Sequence, residues 1–507
     1  MRARETLLFA VLVALLAVQP ASSATIKPAS ACKKLGAKVV QSGMRYECVR
    51  VNGKLVWSKG KRVVTPLPTA SIAASPVQRW LNVCQHDPQA GNIWGELQTW
   101  LKLRPDCERP VRIVDVPLPS SIPITSISDS TSLQSINDCK LPDNPAKDFN
   151  EGFPSAADAA RFKATAHPGP NTVYQLVPIT SPDAPTRGRT PEQDYGRYFD
   201  FLKAWTASAS DAGSSAEFRI PKAYVPVSVR VAPFGIDHHE DAASRKLAAA
   251  ILTEVDKEID FSGVTNAIVV VPAGTAQSVL WQGQGGTLLT AETSRVAFMF
   301  APPYTFDSTY LGRFRTMSQP IVWLHELYHG RGVLDDHVGA NQWGVATADN
   351  GTGQWGLMST AMSDLLGWEK WLLGFWSDAQ IRCSPKDVTT TSWLIPSTIH
   401  GELPKLAVVR LSPTRVLIAE SIRAAGLNFK LPTAAQGLLV YVLDTSDTRR
   451  DFGYRVLRAD GARAEVSTFE YSDAPLAVGE HITVDGVRVT VVEAGEFGDV
   501  IRIEPAA

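Results

Sequence analysis

The sequence predicts an α+β protein, with a twisted sheet and helices followed by an all-β C-terminal domain. Helix-like and strand-like segments alternate from residue 146 to about residue 380. Beyond residue 384 only strand-like, β-branched runs remain. With 44% hydrophobic and 20% charged residues, the composition of this 507-residue chain is ordinary for a globular protein. We therefore expect two or three packed domains.

Residues 1–24 have the pattern of a signal peptide. Arg2 and Arg4 precede an apolar run over residues 7–18, and small residues then offer a cleavage site after Ala24. The alternative is an N-terminal membrane anchor, which the shortness of the apolar run disfavours. Because no later stretch is long and apolar enough to span a bilayer, we expect a secreted, extracellular protein without membrane insertion.

Six cysteines follow the signal, and an even number in an exported chain predicts three disulfides. Proximity along the chain favours Cys32–Cys48 and Cys84–Cys107, which leaves Cys139–Cys383 to join the two ends of the central region. Six cysteines allow 15 connectivities, so other pairings stay open.

Residues 25–60 form a candidate β module. Strands are expected at 38–40, 45–51 and 54–57, with a tight hairpin turn at Asn52-Gly53. The segment resembles a short two-cysteine module of exported actinobacterial proteins, and the matching residues are Cys32, Tyr46, Cys48 and Trp57. Association with the cell wall and a passive spacer are both consistent with this module.

The rest of the chain divides into three predicted regions. Residues 61–145 contain a Pro-, Ser- and Thr-rich linker and a helical stretch near 77–100, which is either a pro-segment or a domain edge. Residues 146–383 form the expected catalytic domain and residues 384–507 a β-sandwich-like domain. The elements expected there are a helix at 240–259, strands at 267–271, 295–300, 406–411, 415–421 and 438–443, and a hairpin at 483–488.

The charge balance excludes two classes of partner. Lysine and arginine number 50 against 51 acidic residues, a net charge of -1. A chain without a global positive field is not expected to bind nucleic acid or an anionic membrane surface.

The segment His325-Glu326-Leu327-Tyr328-His329 carries the chemistry. Ser318 can cap a helix and Pro320 suits its first turn, so both histidines are expected inside a helix. Residues four apart share a helical face, so His325 and His329 can bind one Zn²⁺ through their imidazole nitrogens. Glu326, on the adjoining face, can reach a water on that metal without binding the metal itself.

The third ligand is expected in the turn after the helix. Gly330 and Gly332 can end the helix in a left-handed conformation, and Asp335 can then complete the coordination sphere. Two imidazoles and one carboxylate leave one position open, which is the catalytic arrangement of zinc. The rival third ligands are Asp336, His337 and Glu369.

These residues resemble a known family. HELYHGRGVLD matches the HExxHxxGxxD form of the metzincin signature, and Gln354–Ser359 resembles its methionine turn, with Met358 beneath the metal. Leu366–Gly374 resembles a helix of the immune-inhibitor-A-like (M6-type) bacterial metallopeptidases. The resemblance implies a metzincin-like zinc peptidase domain, peptide-bond hydrolysis and often bound Ca²⁺.

The sequence also departs from this pattern. Gly356 stands where these relatives often carry Asp, and no tyrosine follows Met358 to stabilise an oxyanion. Tyr310 and Tyr328 are weak substitutes. Two further clusters are more typical of local structure than of metal sites, a helix cap at 237–240 and a plain turn at 349–351.

The resulting hypothesis is a secreted zinc-dependent endopeptidase that acts on a protein or peptide substrate through a zinc-bound water activated by Glu326. One alternative is a catalytically inactive surface- or wall-binding protein with a relic zinc site. A further alternative is a zinc hydrolase that acts on a non-peptide amide or on wall material.

Overall fold

The computed structural model describes part of the N-terminal module and most of the chain from residue 171 onward. The described residues are 29–41, 44–59, 61–62, 119–120, 132–144, 146, 151–154, 171–211, 214, 216–235, 241–276, 278–280, 284–291, 294–306, 309–311, 316–330, 351–353, 355–358, 364–423, 426–428, 431, 435–446, 453–462, 471 and 473–506. The predicted signal with Ala24, the helical stretch at 77–100, the pair Cys84–Cys107 and the cluster at 237–240 lie outside them.

The described part of the first compact unit, residues 1–73, is a four-stranded antiparallel sheet. Its strands are β1 Lys38–Gln41, β2 Met44–Val51, β3 Lys54–Trp57 and β4 Lys61–Arg62. Asn52 and Gly53 both have positive φ, 47° and 78°, which the tight turn between β2 and β3 requires. The predicted strands and hairpin are confirmed, as is the Cys32–Cys48 disulfide.

The second compact unit, residues 74–507, contains a six-stranded mixed sheet. Its strands are β5 Thr172–Thr180, β6 Ala216–Arg219, β7 Val225–Pro226, β8 Asn266–Val270, β9 Gln284–Ala291 and β10 Ser294–Phe300. The order is β6-β5-β8-β10-β9, with β7 also paired to β5. The first four strands of this order are parallel, and β9 is antiparallel to β10 at one end.

Strand β8 shows why the sheet is covered on both faces. All five of its residues are buried, which is typical of a strand inside a parallel sheet. Ile268 and Val270 belong to one hydrophobic cluster and Ala267 and Val269 to another, because successive side chains point to opposite faces. The run of four apolar residues after Asn266 therefore favours a three-layer arrangement, with side chains buried on both faces of the sheet.

Helices cover the two faces of this sheet. The described helices are α1 Ile136–Cys139, α2 Pro191–Ala209, α3 Asp241–Val255, α4 Gln319–Gly330 and α5 Gly367–Leu372. Helix α3 belongs to the cluster on one face, whereas α2 and α4 belong to the cluster on the other. A short two-stranded ribbon, β11 Thr309–Leu311 with β12 Thr316–Ser318, leads directly into α4.

Two β-sheets form the C-terminal part of the unit. Their strands are β13 Ile381–Ser384, β14 Thr390–Leu394, β15 Leu406–Ser412, β16 Arg415–Ile422, β17 Gly437–Asp444, β18 Tyr454–Val456, β19 His481–Val484, β20 Val487–Gly495 and β21 Gly498–Pro505. One sheet has the order β13-β15-β16-β17-β18 and the other β14-β21-β20-β19. A shared cluster with Val409, Val440, Val489 and Ile501 joins their inner faces. The predicted strands and the Asp485-Gly486 hairpin are confirmed.

The core of the helical region continues into these sheets. Trp393 of β14 and Val500 of β21 are buried in the same cluster as α2 and α4. The Cys139–Cys383 disulfide, predicted from the sequence, joins α1 to β13. The predicted domain boundaries near 145 and 383 stay predictions, since neither is tested by this packing.

The α+β class is confirmed by these mixed helices and sheets. Within the described ranges, no helix is long and apolar enough to cross a membrane.

Candidate metal centre

Helix α4 carries the predicted site residues on two adjoining faces. Its described span ends at Gly330, and it begins directly after Ser318, as the sequence predicts. Val322, Glu326 and His329 are half-buried, whereas His325 is 3% exposed. Positions 322, 326 and 329 share one helical face, with His325 at its buried edge. The glutamate and both histidines therefore lie where the core meets the accessible side of the helix.

The two histidines converge as one metal ion would require. Their Nε2 atoms are 3.1 Å apart, and the ring planes are inclined by 89°. Two nitrogens that each lie about 2.0–2.1 Å from one zinc ion are roughly 3.1–3.4 Å apart at bond angles of about 100–110°. A hydrogen bond between one protonated and one unprotonated nitrogen has the same separation. The separation of the two Nε2 atoms thus equals that of two ligands on one zinc ion.

A backbone carbonyl favours one tautomer of His325. Nδ1 of His325 lies 3.4 Å from the carbonyl oxygen of Leu357. A carbonyl only accepts hydrogen bonds, so this contact favours the tautomer with the proton on Nδ1. The lone pair then lies on Nε2, the nitrogen that faces His329. A histidine that donates its other ring N–H to a backbone carbonyl is the usual arrangement of a metal ligand.

The segment that supplies this carbonyl is the predicted methionine turn. Leu357 and Met358 are fully buried and belong to the same cluster as Leu324 and Leu327 of α4. Gly356 has φ of 96°, a conformation that glycine adopts far more readily than residues with a β-carbon. The glycine at this position is therefore explained by the local backbone.

Aromatic packing fixes the orientation of α4. Trp323 stacks on Tyr198 of α2 with ring centroids 4.1 Å apart, and on Tyr195 at 5.4 Å. Tyr328 packs edge-on against Trp205 at 5.4 Å. These side chains are fully buried, so rotation of the helix about its axis would disrupt the core. The histidine face is consequently held in place by residues on the other side of the helix.

The predicted third ligand, Asp335, lies outside the described residues. The structure does not describe residues 331–350, which include Gly332, Asp335, Asp336 and His337. Within the described ranges, no three His, Cys, Asp or Glu side chains are grouped closely enough to hold a metal ion. Glu369, the remaining rival, is among the described residues and does not form such a group with His325 and His329. Asp335 therefore stays a prediction, with Asp336 and His337 as its rivals.

Glu369 belongs instead to a buried ionic network that the sequence does not predict. Its Oε2 accepts a hydrogen bond of 2.8 Å from the backbone N–H of Leu366, at the start of α5. Glu420 of β16 accepts from the backbone N–H of Gly367 at 2.8 Å and from the Tyr441 hydroxyl at 3.1 Å. Both carboxyl groups are almost fully buried.

Two lysines are paired within the same network. Lys370 donates to Asp364 over 2.5 Å, and Lys405 donates to Asp211. Each lysine also lies over the ring of Trp376, at 5.2 and 5.3 Å. The two aspartates form ion pairs with the two ammonium groups. Among the described residues, Glu369 and Glu420 have no ion-pair partner of their own.

Burial shifts these groups toward their neutral forms, more strongly than the neighbouring Lys370 opposes it for the two glutamates. Desolvation raises the pKa of Glu369 to about 8, and the neighbouring Glu420 and Asp364 act in the same direction. Desolvation likewise raises the pKa of Glu420 to about 7 and lowers that of Lys405 to about 8. The one signal in the sequence is a charged pair, Glu369-Lys370, inside an apolar run. That pattern does not specify partners 50 or more residues away.

In comparisons with known proteins, no family model matches the chain and no curated protein matches it significantly. The function is therefore inferred from the site alone.

Proposed function

We propose that the protein is a secreted zinc-dependent endopeptidase with a metzincin-like catalytic domain. The observation that carries the proposal is the convergence of the His325 and His329 Nε2 atoms, with Nδ1 of His325 directed at the Leu357 carbonyl. Asp335 is the proposed third ligand. Two disulfides support an oxidising, extracellular location.

The arrangement of α4 supports a catalytic rather than a purely structural metal. The two histidines and one carboxylate would hold a zinc ion, which would supply Lewis-acid activation of water and of the scissile carbonyl. Glu326 is half-buried on the accessible face beside His329. Its carboxylate takes a proton from the attacking water and transfers it to the leaving amine. His325, held by Leu357, keeps its unprotonated nitrogen toward the metal position.

Strand β9 supports a peptide substrate. It lies at the end of the mixed sheet, runs antiparallel to β10 and contacts α4. In the described ranges its other edge has no paired strand. An extended peptide can add to such an edge through main-chain hydrogen bonds, which would bring it to the helix that bears the histidines.

The test compares wild type with Glu326→Gln in zinc content and in cleavage of casein or gelatin. We expect about one zinc per chain in both proteins, and activity at least about 100-fold lower in the variant, because the general base is lost while the ligands remain. Glu258→Gln is the matched control, since Glu258 is exposed and lies in the turn after α3.

The outcomes separate the hypotheses. Absence of zinc from wild type would overturn the metal centre. Bound zinc with full activity in Glu326→Gln would overturn the role of Glu326. Bound zinc without peptide cleavage by wild type would contradict the peptidase and favour the relic-site alternative, or a hydrolase acting on wall material.

A further inference from the structure

The chain segregates its charge between the N-terminal module and the rest. Residues 29–62 contain nine lysines and arginines and one acidic residue, Glu47, so the module has a net charge of +8. The whole chain has 50 basic and 51 acidic residues, which leaves 41 and 50 outside the module, a net charge of -9. The near-zero total therefore conceals a strongly basic segment.

Six cations of the module are exposed to solvent. They are Lys33, Lys34, Lys38, Arg50, Lys54 and Lys59. In a module this small, held by one disulfide and four short strands, six exposed cations lie within a few Debye lengths of one another. Like charges at this density destabilise the module by self-repulsion, so the composition is not explained by folding.

The cations are not confined to one face. Lys38 pairs with Glu47 and Lys54 with Val51, so both lysines project from the same face of the sheet. Arg50 pairs with Leu55 and projects from the opposite face, the face that also carries the buried Cys48. Lys33 and Lys34 precede β1 and Lys59 follows β3. A flat surface can meet one of these faces, whereas a flexible chain can contact several.

The exposed apolar residues of the module also favour a flexible partner over a flat surface. Val39 and Val51 are 37% and 50% exposed and lie on opposite faces of the sheet, and Leu35, which is 56% exposed, precedes β1. A module that docks on a bilayer presents its apolar residues on one side, flanked by cations. This distribution does not form such a side, so it favours a linear polymer over a membrane.

We propose that the N-terminal module binds a linear phosphodiester polymer of the cell envelope and thereby tethers the chain outside the cell. Five of the six exposed cations are lysines, which bind phosphate as point charges and do not demand one fixed geometry. The inference rests on the secretion proposed above, which would bring the module among envelope polymers. The polymer would meet a positive module, while the more acidic remainder of the chain would stay free of it.

The experiment measures binding of the full chain to purified poly(glycerol phosphate), with neutral dextran as the control polymer. The module variant carries Lys33→Glu, Lys34→Glu, Lys38→Glu and Lys54→Glu. The matched control carries Lys222→Glu, Lys246→Glu, Lys257→Glu and Lys386→Glu, four exposed lysines outside the module. Both sets change the net charge equally, so only the position of the charges differs.

We expect wild type to bind the polymer and to lose about tenfold or more in affinity between 50 and 200 mM salt. The module variant should bind about tenfold or more weakly, with a shallower salt dependence, and the control variant within about threefold of wild type. A second variant with the same four module lysines changed to Gln should show an intermediate loss. Mass spectrometry checks that the Cys32–Cys48 disulfide has formed in each variant, and circular dichroism checks that each variant keeps the fold of wild type.

Equal loss in the module and control variants would overturn the proposal, because net charge alone would then explain binding. Absence of polymer binding by wild type at 50 mM salt would also overturn it. Binding to vesicles that contain anionic phospholipid, without binding to the polymer, would replace it with a membrane-docking role. All of these readouts are independent of zinc content and of peptide cleavage.

Discussion

The carbonyl oxygen of Leu357 lies 3.4 Å from Nδ1 of His325, across 32 residues of chain. This contact links the predicted methionine turn to the predicted zinc helix through one hydrogen bond. It also gives the turn a chemical role that packing by Met358 does not supply, since it selects the tautomer of a candidate ligand.

Leu357→Ala tests this link. Removing a fully buried leucine should cost about 2–5 kcal/mol of unfolding free energy and loosen the turn that carries the carbonyl. We expect zinc affinity, measured by competition with a chelator, to fall about 10- to 100-fold, as for loss of an outer-shell partner. Leu439→Ala is the control, because Leu439 is equally buried in a different cluster. It should lose similar stability and retain its zinc affinity; equal zinc affinities in both variants would contradict the proposed role.

The third ligand can be identified by metal retention. Asp335→Ala should lose bound zinc, because two imidazoles alone hold the ion far more weakly than three ligands do. Asp336→Asn, His337→Gln and Glu369→Gln should retain it. Zinc content after gel filtration measures all four variants together. Loss of zinc in His337→Gln or Asp336→Asn, with retention in Asp335→Ala, would move the assignment to that residue.

The buried carboxyl groups predict that stability falls as pH rises from about 5 to 8. The folded pKa values of Glu369 and Glu420, about 8 and 7, lie above the ordinary value of 4.5. Between the ordinary and the folded pKa the folded state binds more protons than the unfolded state, so the unfolding free energy decreases with pH. We expect a fall of about 2 kcal/mol or more over this window, measured by urea denaturation.

Glu369→Gln checks the origin of this slope. The amide oxygen can still accept from the Leu366 N–H, and no proton is lost on raising the pH. The slope between pH 5 and 8 should therefore flatten in this variant, whereas Glu258→Gln at an exposed position should keep it. Lys405 acts in the opposite direction above pH 8. Its folded pKa of about 8 lies below its ordinary 10.5, so its contribution makes the unfolding free energy rise with pH. An unchanged slope in Glu369→Gln would show that other groups cause it.

The Cys139–Cys383 disulfide should contribute measurably to stability because it closes a loop of 244 residues. Replacing both cysteines by alanine is expected to cost about 2–5 kcal/mol in denaturant unfolding. The double replacement avoids leaving a free thiol. Cys32→Ala with Cys48→Ala should leave the unfolding transition of the larger unit unchanged, since that pair lies in the other compact unit. A larger loss of stability of the larger unit from replacing Cys32 and Cys48 than from replacing Cys139 and Cys383 would argue against separate units.

Local patterns in the sequence were enough for several elements. The spacing of His325 and His329 placed both on one helix, since the period of an α-helix is fixed by its backbone. The Asn52-Gly53 and Asp485-Gly486 turns were predicted because few other residues adopt positive φ readily. The pairing of Cys139 with Cys383 followed from which cysteines were left once near neighbours were paired.

Only the tertiary structure decided the remaining features. The Leu357 carbonyl reaches His325 because a buried turn packs on α4, and Lys405 meets Asp211 across 194 residues. Glu369, a rival zinc ligand in the sequence, is placed by α5 beside Glu420 of β16 instead. Periodicity and turn chemistry act over a few residues, so they determine which face of an element is apolar. Which elements meet depends on how all the apolar faces pack together, and that is a property of the whole chain.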